Sequence, residues 1–336
     1  MRNAPLAPGV RTDSGRGAAA VVGIAAGVVA AEPALWLLGV VGFGVRGGLV
    51  LLTLPVLTIP SPVLLSILFR NELGTSGTNA SFDVLAFVAA TVTGLVALVA
   101  ILISAWAELH AVERCVADPR SGVLRLGRPA RPVGQRERSS LLLWVAAVQA
   151  MGLLPVLLLV LLFVGRLGGL VTTELQQPSD LNVSLIGRLV RDATPALMGI
   201  LLAVALIEVL VSLASRRLIV ARLGLLSDGA GEPTEPRLAI HGALRIVRQP
   251  IRVAGVAMLS WLTALVAVVV AVGSLSIAWD AIRQGLLSLG RPGDLGTLLG
   301  AVITAGLLSA VWVGALCLCG LASAFRSSLW TMDTLR

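Results

Sequence analysis

The sequence has no lysine and no tyrosine, only three cysteines, and charged residues make up 13% of its 336 positions. Three cysteines are too few for a disulfide framework, and Cys317 and Cys319 lie inside an apolar run. Because positions two apart on a helix point to different sides, this pair is also a poor metal chelator. We therefore expect the cysteines to pack as small apolar residues.

Histidine is also scarce: His110 and His241 are the only two. Neither belongs to an H-E-x-x-H motif. The sequence also has no nucleotide-binding loop, catalytic triad or paired-carboxylate motif. It therefore predicts no metal ion, no other cofactor and no catalytic residues.

All basic residues are arginines, 26 in number, and the formal net charge is +8. They occupy short segments beside apolar runs, where arginine sets topology and meets anionic lipid headgroups. We therefore expect a lipid surface as the partner of these charges, and no nucleic acid. The exclusive use of arginine suggests the codon bias of a GC-rich, bacterial genome.

Apolar residues dominate the chain. They make up 57% of it, and the mean hydropathy is +0.94, both far outside globular usage. Runs of about 20 apolar residues match the hydrocarbon thickness of a bilayer at helical rise. The sequence predicts an all-α, polytopic transmembrane helix bundle as one domain over residues 18–336, after a disordered N-terminus at 1–17. The six predicted spans lie near residues 34–58, 84–107, 141–165, 195–214, 254–278 and 297–322.

A seventh apolar stretch, residues 18–31, is only 14 residues long and follows three arginines. It resembles a signal peptide with a cleavage site after Ala31. Cleavage there would reverse every later span, which the arginine distribution contradicts. We prefer an uncleaved helix at the membrane interface that bends into span 1 at Pro33, and its depth in the membrane stays open.

The arginines are distributed unequally between the two sides of the predicted bundle. Nineteen lie in the segments on the N-terminal side, six lie in the opposite segments, and Arg46 lies within span 1. Arginine near span ends resists translocation, so the richer side is cytoplasmic. We expect a multi-pass protein of the plasma membrane with both termini in the cytoplasm.

A weak internal repeat accompanies these spans. "VVAAEPALWLLG" (28–39) and "RIVRQPIRVAGV" (245–256) each place a helix-like stretch and a proline directly before an odd-numbered span. Proline is tolerated in the first turn of a helix, so each pair indicates an interfacial helix that bends into the membrane. The even spans end alike, in "AELHAVERC", "LASRRLIVA" and "LASAFRSSLW". We interpret the chain as three helical hairpins, with a possible three-hairpin repeat.

Residues 239–252 form an amphipathic segment. Its apolar and basic residues recur with the same spacing, one position apart, so the two stripes lie about 100° apart on a helix. Such a helix suits the cytoplasmic membrane surface, with guanidinium groups among anionic headgroups. The alternative is that the charges only set topology. The apolar stripe is Ile240, Leu244, Val247 and Ile251; the basic stripe, predicted to contact anionic lipid, is His241, Arg245, Arg248 and Arg252.

Arg46 lies in "GFGVRGGLVLL" (42–52), near the centre of span 1. A charge at that depth requires a partner, a wet cavity or a function. Glu208 in span 4 is the preferred partner, because spans 1 and 4 are antiparallel and place the two side chains at similar depth. Glu108, near the inner end of span 2, is the reserve partner. Three interpretations of Arg46 therefore stay open. It forms an ion pair that fixes helix packing, its guanidinium reaches the membrane surface or is loosely solvated, or it takes part in transport.

Three segments resemble a known group of proteins. The stretches "AAEPALWLLGVVGFGVRGG", "RIVRQPIRVAG" and "FRSSLWTMDTL" are similar to uncharacterised bacterial six-span proteins, which resemble the membrane domain fused to some glycerophosphodiester phosphodiesterases. The resemblance covers the architecture of the whole chain and implies a six-span membrane domain. It implies no phosphodiesterase activity, because that domain is absent from this sequence.

The sequence leaves three functions open. The first is a non-catalytic integral membrane protein that organises the envelope or binds a membrane or soluble protein partner. The second is a transporter or permease subunit with a polar site around Arg46 and Glu208, which further polar side chains facing Arg46 would favour. The third is an intramembrane lipid enzyme that uses Glu108, His110 and Glu113, which a polar cleft at His110 would favour.

Overall fold

The computed structural model describes residues 18–56, 80–121, 134–176, 185–225, 235–288 and 295–335, and the regular elements within these ranges are helices. The predicted disordered N-terminus, residues 1–17, lies outside the described residues. Among the described residues, six helical segments are long and apolar enough to cross a membrane, which confirms the predicted all-α bundle. The helices are α1 (Ala18–Ala31), α2 (Pro33–Phe43), α3 (Leu49–Thr53), α4 (Ala80–Ala117), α5 (Gln135–Gln176), α6 (Leu185–Arg222), α7 (Glu235–Arg248), α8 (Pro250–Ser288) and α9 (Leu295–Thr334).

Span 1 consists of α2 and α3, separated by a wide turn of five residues, Gly44–Gly48. The bend expected at Pro33 is present, because Glu32 is extended and α2 begins at the proline. Within the wide turn Arg46 departs from helical geometry (ψ 18°), and Gly47 has a φ of 96° that favours glycine. The helix is therefore broken at the charged residue.

The even-numbered spans extend beyond their predicted ends. They were predicted to stop near residues 107, 214 and 322, whereas α4 ends at Ala117, α6 at Arg222 and α9 at Thr334. Hydropathy falls where charged residues begin, but here several of these charges have partners inside the bundle, so the helices continue. We call the end of the bundle where α4, α6 and α9 finish, and α2 and α8 begin, the Pro33 end.

Helix α1 packs against the bundle at the Pro33 end. Val28 and Leu35 are buried in one cluster with Cys115 of α4 and Leu329 of α9. The Cys115 thiol also lies 3.1 Å from the hydroxyl of Ser328. These contacts hold α1 across the ends of spans 2 and 6.

Two glycines let α2 and α9 approach closely. A Cβ atom on Gly320 would lie 2.9 Å from the Cα of Val40, and a Cβ on Gly39 would meet the carbonyl of Gly320. Small residues allow this backbone approach in membrane helices. The crossing places the broken span 1 directly beside α9.

Helix α7 is the second short helix before a span. It ends at Arg248, and α8 begins at Pro250, as the sequence predicted. A Cβ on Gly242 would lie 2.9 Å from the Leu213 carbonyl oxygen, so α7 packs closely on α6. Its apolar residues Ile240 and Leu244 are exposed, as is Ile251 at the start of α8. This uncovered stripe is what a helix at the membrane interface requires.

Candidate functional site

Arg46 donates two hydrogen bonds to α4 from the break in span 1. Its Nε bonds the Ser104 hydroxyl at 2.9 Å, and its Nη2 bonds the Glu108 carboxylate at 2.9 Å. The partner is thus Glu108, which the sequence analysis held in reserve. The preferred pairing of Arg46 with Glu208 is wrong in this structure.

Glu108 is buried at the meeting point of several helices. Besides Arg46, its carboxylate accepts hydrogen bonds from Gln149 of α5 at 2.7 Å and from Ser215 of α6 at 2.8 Å. The Nη1 of Arg216 lies 3.1 Å from the same carboxylate. One charge therefore holds span 1, α4, α5 and α6 together, which satisfies the demand that a buried carboxylate be paired.

Arg216 is as deeply buried as Glu108. It also donates from Nη1 to the Ser212 carbonyl at 3.0 Å and from Nη2 to the Ser327 hydroxyl at 3.4 Å. Its Nε is buried and has no acceptor among the described residues. Arg216 was expected to be one of the charges of an inner segment that set topology, and the structure corrects this because α6 continues past it inside the bundle.

Glu208 forms an ion pair with Arg326 of α9. Arg326 was not considered as a partner for Glu208, because span 6 was predicted to end near residue 322. That prediction left Arg326 outside the membrane. In the structure α9 continues through Arg326 to Thr334. The continued helix brings a second guanidinium to the level of the Arg46 site.

Two cavities border this cluster and share Arg46, Ser323 and Arg326 as lining residues. The smaller has a volume of about 30 Å³ and adjoins Glu108 and Arg216. A water molecule needs roughly 10–15 Å³ and several polar partners, both of which this space offers. The larger cavity has a volume of about 410 Å³ and lies between the wide turn of span 1, α8 and α9.

The charges that line the two cavities do not balance. Three of them are arginines and two are glutamates, which leaves one guanidinium in excess. Arg326 is paired with Glu208, and both Arg46 and Arg216 rely on Glu108. Arg216 is enclosed, whereas the side chain of Arg46 is 46% exposed. The excess positive charge is therefore available at Arg46.

The three residues considered for a lipid enzyme are not brought together. Glu108 belongs to the buried cluster, whereas Glu113 pairs with Arg138. The Nδ1 of His110 lies 2.9 Å from the Trp106 carbonyl oxygen, on its own helix. Across the described parts of the chain, no group of three His, Cys, Asp or Glu side chains is placed to hold a metal ion.

Two residues of the predicted lipid-binding stripe contact the protein instead. Arg252 bonds the buried carboxylate of Asp333 at 2.7 Å, and Arg245 bonds the Asp333 carbonyl at 2.7 Å and the Thr334 carbonyl at 3.3 Å. Guanidinium groups are well suited to the last carbonyls of a helix, which lack helical partners. Arg245 and Arg252 thus fasten α7 and α8 to the end of α9, and the exposed His241 and Arg248 remain as candidates for headgroup contact.

Arg245 keeps its charge in this setting. Burial lowers the pKa of its guanidinium, and the neighbouring carboxylate of Asp333 opposes that shift. Arginine titrates so far above neutral pH that it stays protonated. Arg245 therefore contacts the end of α9 as a cation.

Two arginines of the site, Arg216 and Arg326, were not predicted as site residues from the sequence, although a signal for them was visible. The similar endings of the even spans contain Glu108 in "AELHAVERC", Arg216 in "LASRRLIVA" and Arg326 in "LASAFRSSLW". Each ending places a charged residue where a long apolar run stops. Had these endings been assigned to the helices, Arg216 and Arg326 would have joined Glu108 as candidate residues of the charged site around Arg46.

Comparison of the chain with protein-family models, with curated proteins and with solved structures gives no match. The resemblance to the membrane domain of glycerophosphodiester phosphodiesterases therefore stays a prediction. The assignment of a function depends on the geometry of the charged cluster and its cavities.

Proposed function

We propose that the protein is a membrane transport protein or permease subunit that binds an anionic group at Arg46. The observation that carries this proposal is the excess guanidinium at a cavity inside the helix bundle. Unbalanced charge in the bilayer is costly and tends to mark substrate or ion pathways. An anion beside Arg46 would restore the balance.

The backbone at Arg46 supports the same proposal. Transporter sites commonly lie at helices that are interrupted within the membrane, where polar backbone and side chains face a cavity. Span 1 is interrupted at Arg46 and Gly47, next to the larger cavity. The polar side chains gathered around Arg46 are also the feature expected to favour transport over an envelope-organising role, which stays a prediction.

Binding can be tested on the purified protein in a neutral detergent. The thermal midpoint is measured with increasing phosphate, sulfate, acetate, a fatty acid and phosphatidic acid. We expect at least one of these anions to stabilise the native protein, because a ligand that binds only the folded state raises its stability. Arg46→Gln should abolish the effect, and Arg166→Gln should preserve it, since Arg166 is exposed on α5 and lines neither cavity.

Transport is then measured for each anion that binds. Proteoliposomes with the native protein should take up the labelled anion, and those with Arg46→Gln should not. If no anion stabilises the native protein, or if Arg46→Gln responds as the native protein does, the binding site is disproved. Binding without uptake would disprove the transport role alone.

A further inference from the structure

The larger cavity is polar at one end and apolar at the other. Arg326 and Glu208 lie towards the Pro33 end, and Cys319 lies seven residues before Arg326 on α9, roughly 10 Å away along the axis. The far wall is built from Leu51 of span 1 and Val268 of α8. A ligand that fits this shape has a charged end and an apolar body.

Buried apolar clusters lie on both sides of the cavity along the bundle axis. At the Pro33 end, Leu213 of α6, Val253 of α8 and Trp330 of α9 belong to one buried cluster. At the far end, Leu52 and Leu275 belong to another. An approach from the far end would have to cross packed apolar residues, and an approach from the Pro33 end would have to pass the smaller cavity, whose volume of about 30 Å³ has room for about two water molecules.

Among the described residues, α6 and α8 make few direct contacts, and the Glu208 side chain, which lines the cavity from α6, is 38% exposed, so we place the opening of the cavity between these two helices. Leu201, two turns before Glu208 on the same face of α6, is 54% exposed. Leu265, next to the cavity-lining Ala264 of α8, is 60% exposed. Such leucines in a membrane-spanning helix face lipid, so the opening leads into the hydrocarbon of the bilayer.

A free inorganic anion cannot use this route, because moving an isolated charge into hydrocarbon is very costly. An anion attached to an acyl chain already lies in the membrane and needs only to move sideways. The planar guanidinium of Arg46 can bind a phosphate or a carboxylate through two parallel hydrogen bonds. The excess positive charge, the apolar far wall and the lateral opening therefore select the same kind of molecule.

We infer that the ligand is a membrane amphiphile with an anionic headgroup, which enters between α6 and α8. Its headgroup binds Arg46 and Arg326, and its chain lies along Leu51 and Val268. This inference rests on the proposed anion site and names its substrate class. A phosphate headgroup and a carboxylate headgroup can each accept two hydrogen bonds from a guanidinium. In either case the anionic group belongs to a lipid and is not a free ion.

The test uses the full-length protein in nanodiscs of phosphatidylcholine that contain a small fraction of phosphatidic acid. The protein is transferred to detergent, and native mass spectrometry measures the fraction that retains phosphatidic acid. Ala264→Trp places an indole in the lateral opening and leaves every charge in place. Ala254→Trp is the matched control, because Ala254 is exposed on the same helix and lines neither cavity.

We expect the native protein and Ala254→Trp to retain one phosphatidic acid each, in preference to phosphatidylcholine. Ala264→Trp and Arg46→Gln should each lower the retained fraction about tenfold, the size of effect that one charge-assisted contact supports. Inorganic phosphate in excess should not displace the lipid. The thermal midpoints of all variants are measured alongside, so that a variant that fails to fold is recognised.

Other results would overturn the inference. Equal retention by the native protein, Ala264→Trp and Arg46→Gln would mean that the lipid binds elsewhere on the surface. Binding of inorganic phosphate that needs Arg46 and tolerates Ala264→Trp would disprove the lipid route and leave the anion site intact. Absence of binding by phosphatidic acid and by every other anion tested above would disprove both proposals.

Discussion

Glu108 shows why a single carboxylate can be tolerated inside a helix bundle. A buried carboxylate loses its hydration and must recover it from donors in the protein. Arg46, Gln149, Ser215 and Arg216 supply those donors from three different parts of the chain. The same dependence makes the cluster vulnerable, because removal of the one negative charge leaves two guanidinium groups without their counterion.

We predict that Glu108→Gln lowers the free energy of unfolding by about 3–5 kcal/mol, the usual cost of breaking a buried ion pair from one side. Glu113→Gln is the control, because Glu113 pairs with Arg138, which is largely exposed. An exposed pair of this kind contributes up to about 1 kcal/mol. The measurement is an SDS titration of the protein in mixed micelles, followed by tryptophan fluorescence.

A double-mutant cycle checks the assignment of partners. Arg46→Gln and Glu108→Gln should be strongly coupled, whereas Arg46→Gln and Glu208→Gln should add to within about 0.5 kcal/mol. Equal losses from Glu108→Gln and Glu113→Gln, or coupling of Arg46 with Glu208 alone, would contradict the cluster described here.

At the scale of helices, the sequence predicted the existence and the order of the membrane-spanning helices far better than the residues at which they end or break. Long apolar runs predict membrane helices because the backbone must satisfy its own hydrogen bonds in lipid. Glu108 was ranked behind Glu208, and Arg326 was placed outside the membrane, because hydropathy measures each residue alone and cannot register a partner on another helix. Gly47, Gly48 and Pro55 were the only hints of the break in span 1, since the chain has 36 glycines and packing decides which one adopts a positive φ.

The crossing of α2 and α9 gives a prediction about packing. Gly320→Ala should destabilise the protein, because the added Cβ meets the backbone of Val40, which cannot rotate away. We expect a loss of about 1–3 kcal/mol, as for other overpacked sites. Gly314→Ala on the same helix meets nothing within 4 Å and should be neutral or slightly stabilising.

Thermal unfolding in detergent compares these two variants with the native protein. The displacement of α2 should also disturb Arg46, so Gly320→Ala should weaken binding of any anion that the native protein binds. Identical midpoints for Gly320→Ala and Gly314→Ala would show that the helices do not cross at this distance.

The attachment of α7 and α8 to α9 gives a second prediction at this scale. Asp333→Asn should weaken the ion pairs of the Asp333 carboxylate with Arg252 at 2.7 Å and with Arg245 at 3.9 Å, and amide hydrogen exchange in α7 should become faster by about tenfold or more, because one ion-paired anchor is lost. Arg248→Gln is the control, since Arg248 is exposed on the same helix. Unchanged exchange in Asp333→Asn would mean that other contacts hold α7.

At the scale of the whole molecule, most polar contacts lie towards the Pro33 end. The Glu108 cluster, the Asp333 cluster and the packing of α1 all lie in the half of the bundle where the even spans finish. This is also the side to which the sequence assigns 19 arginines. The half of the bundle with these contacts is therefore on the same side of the membrane as the 19 arginines. This is expected if the site lies near one leaflet of the membrane.

The arginine distribution predicts which leaflet that is. Arginine-rich segments stay in the cytoplasm, so the Pro33 end and the site should lie near the cytoplasmic leaflet. The native cysteines Cys115, Cys317 and Cys319 are first replaced, and single cysteines are introduced at four positions. A membrane-impermeant maleimide should label positions 78 and 290 in intact cells, and positions 130 and 230 only after permeabilisation. Labelling of position 130 in intact cells would reverse the orientation and place the lateral opening at the opposite leaflet.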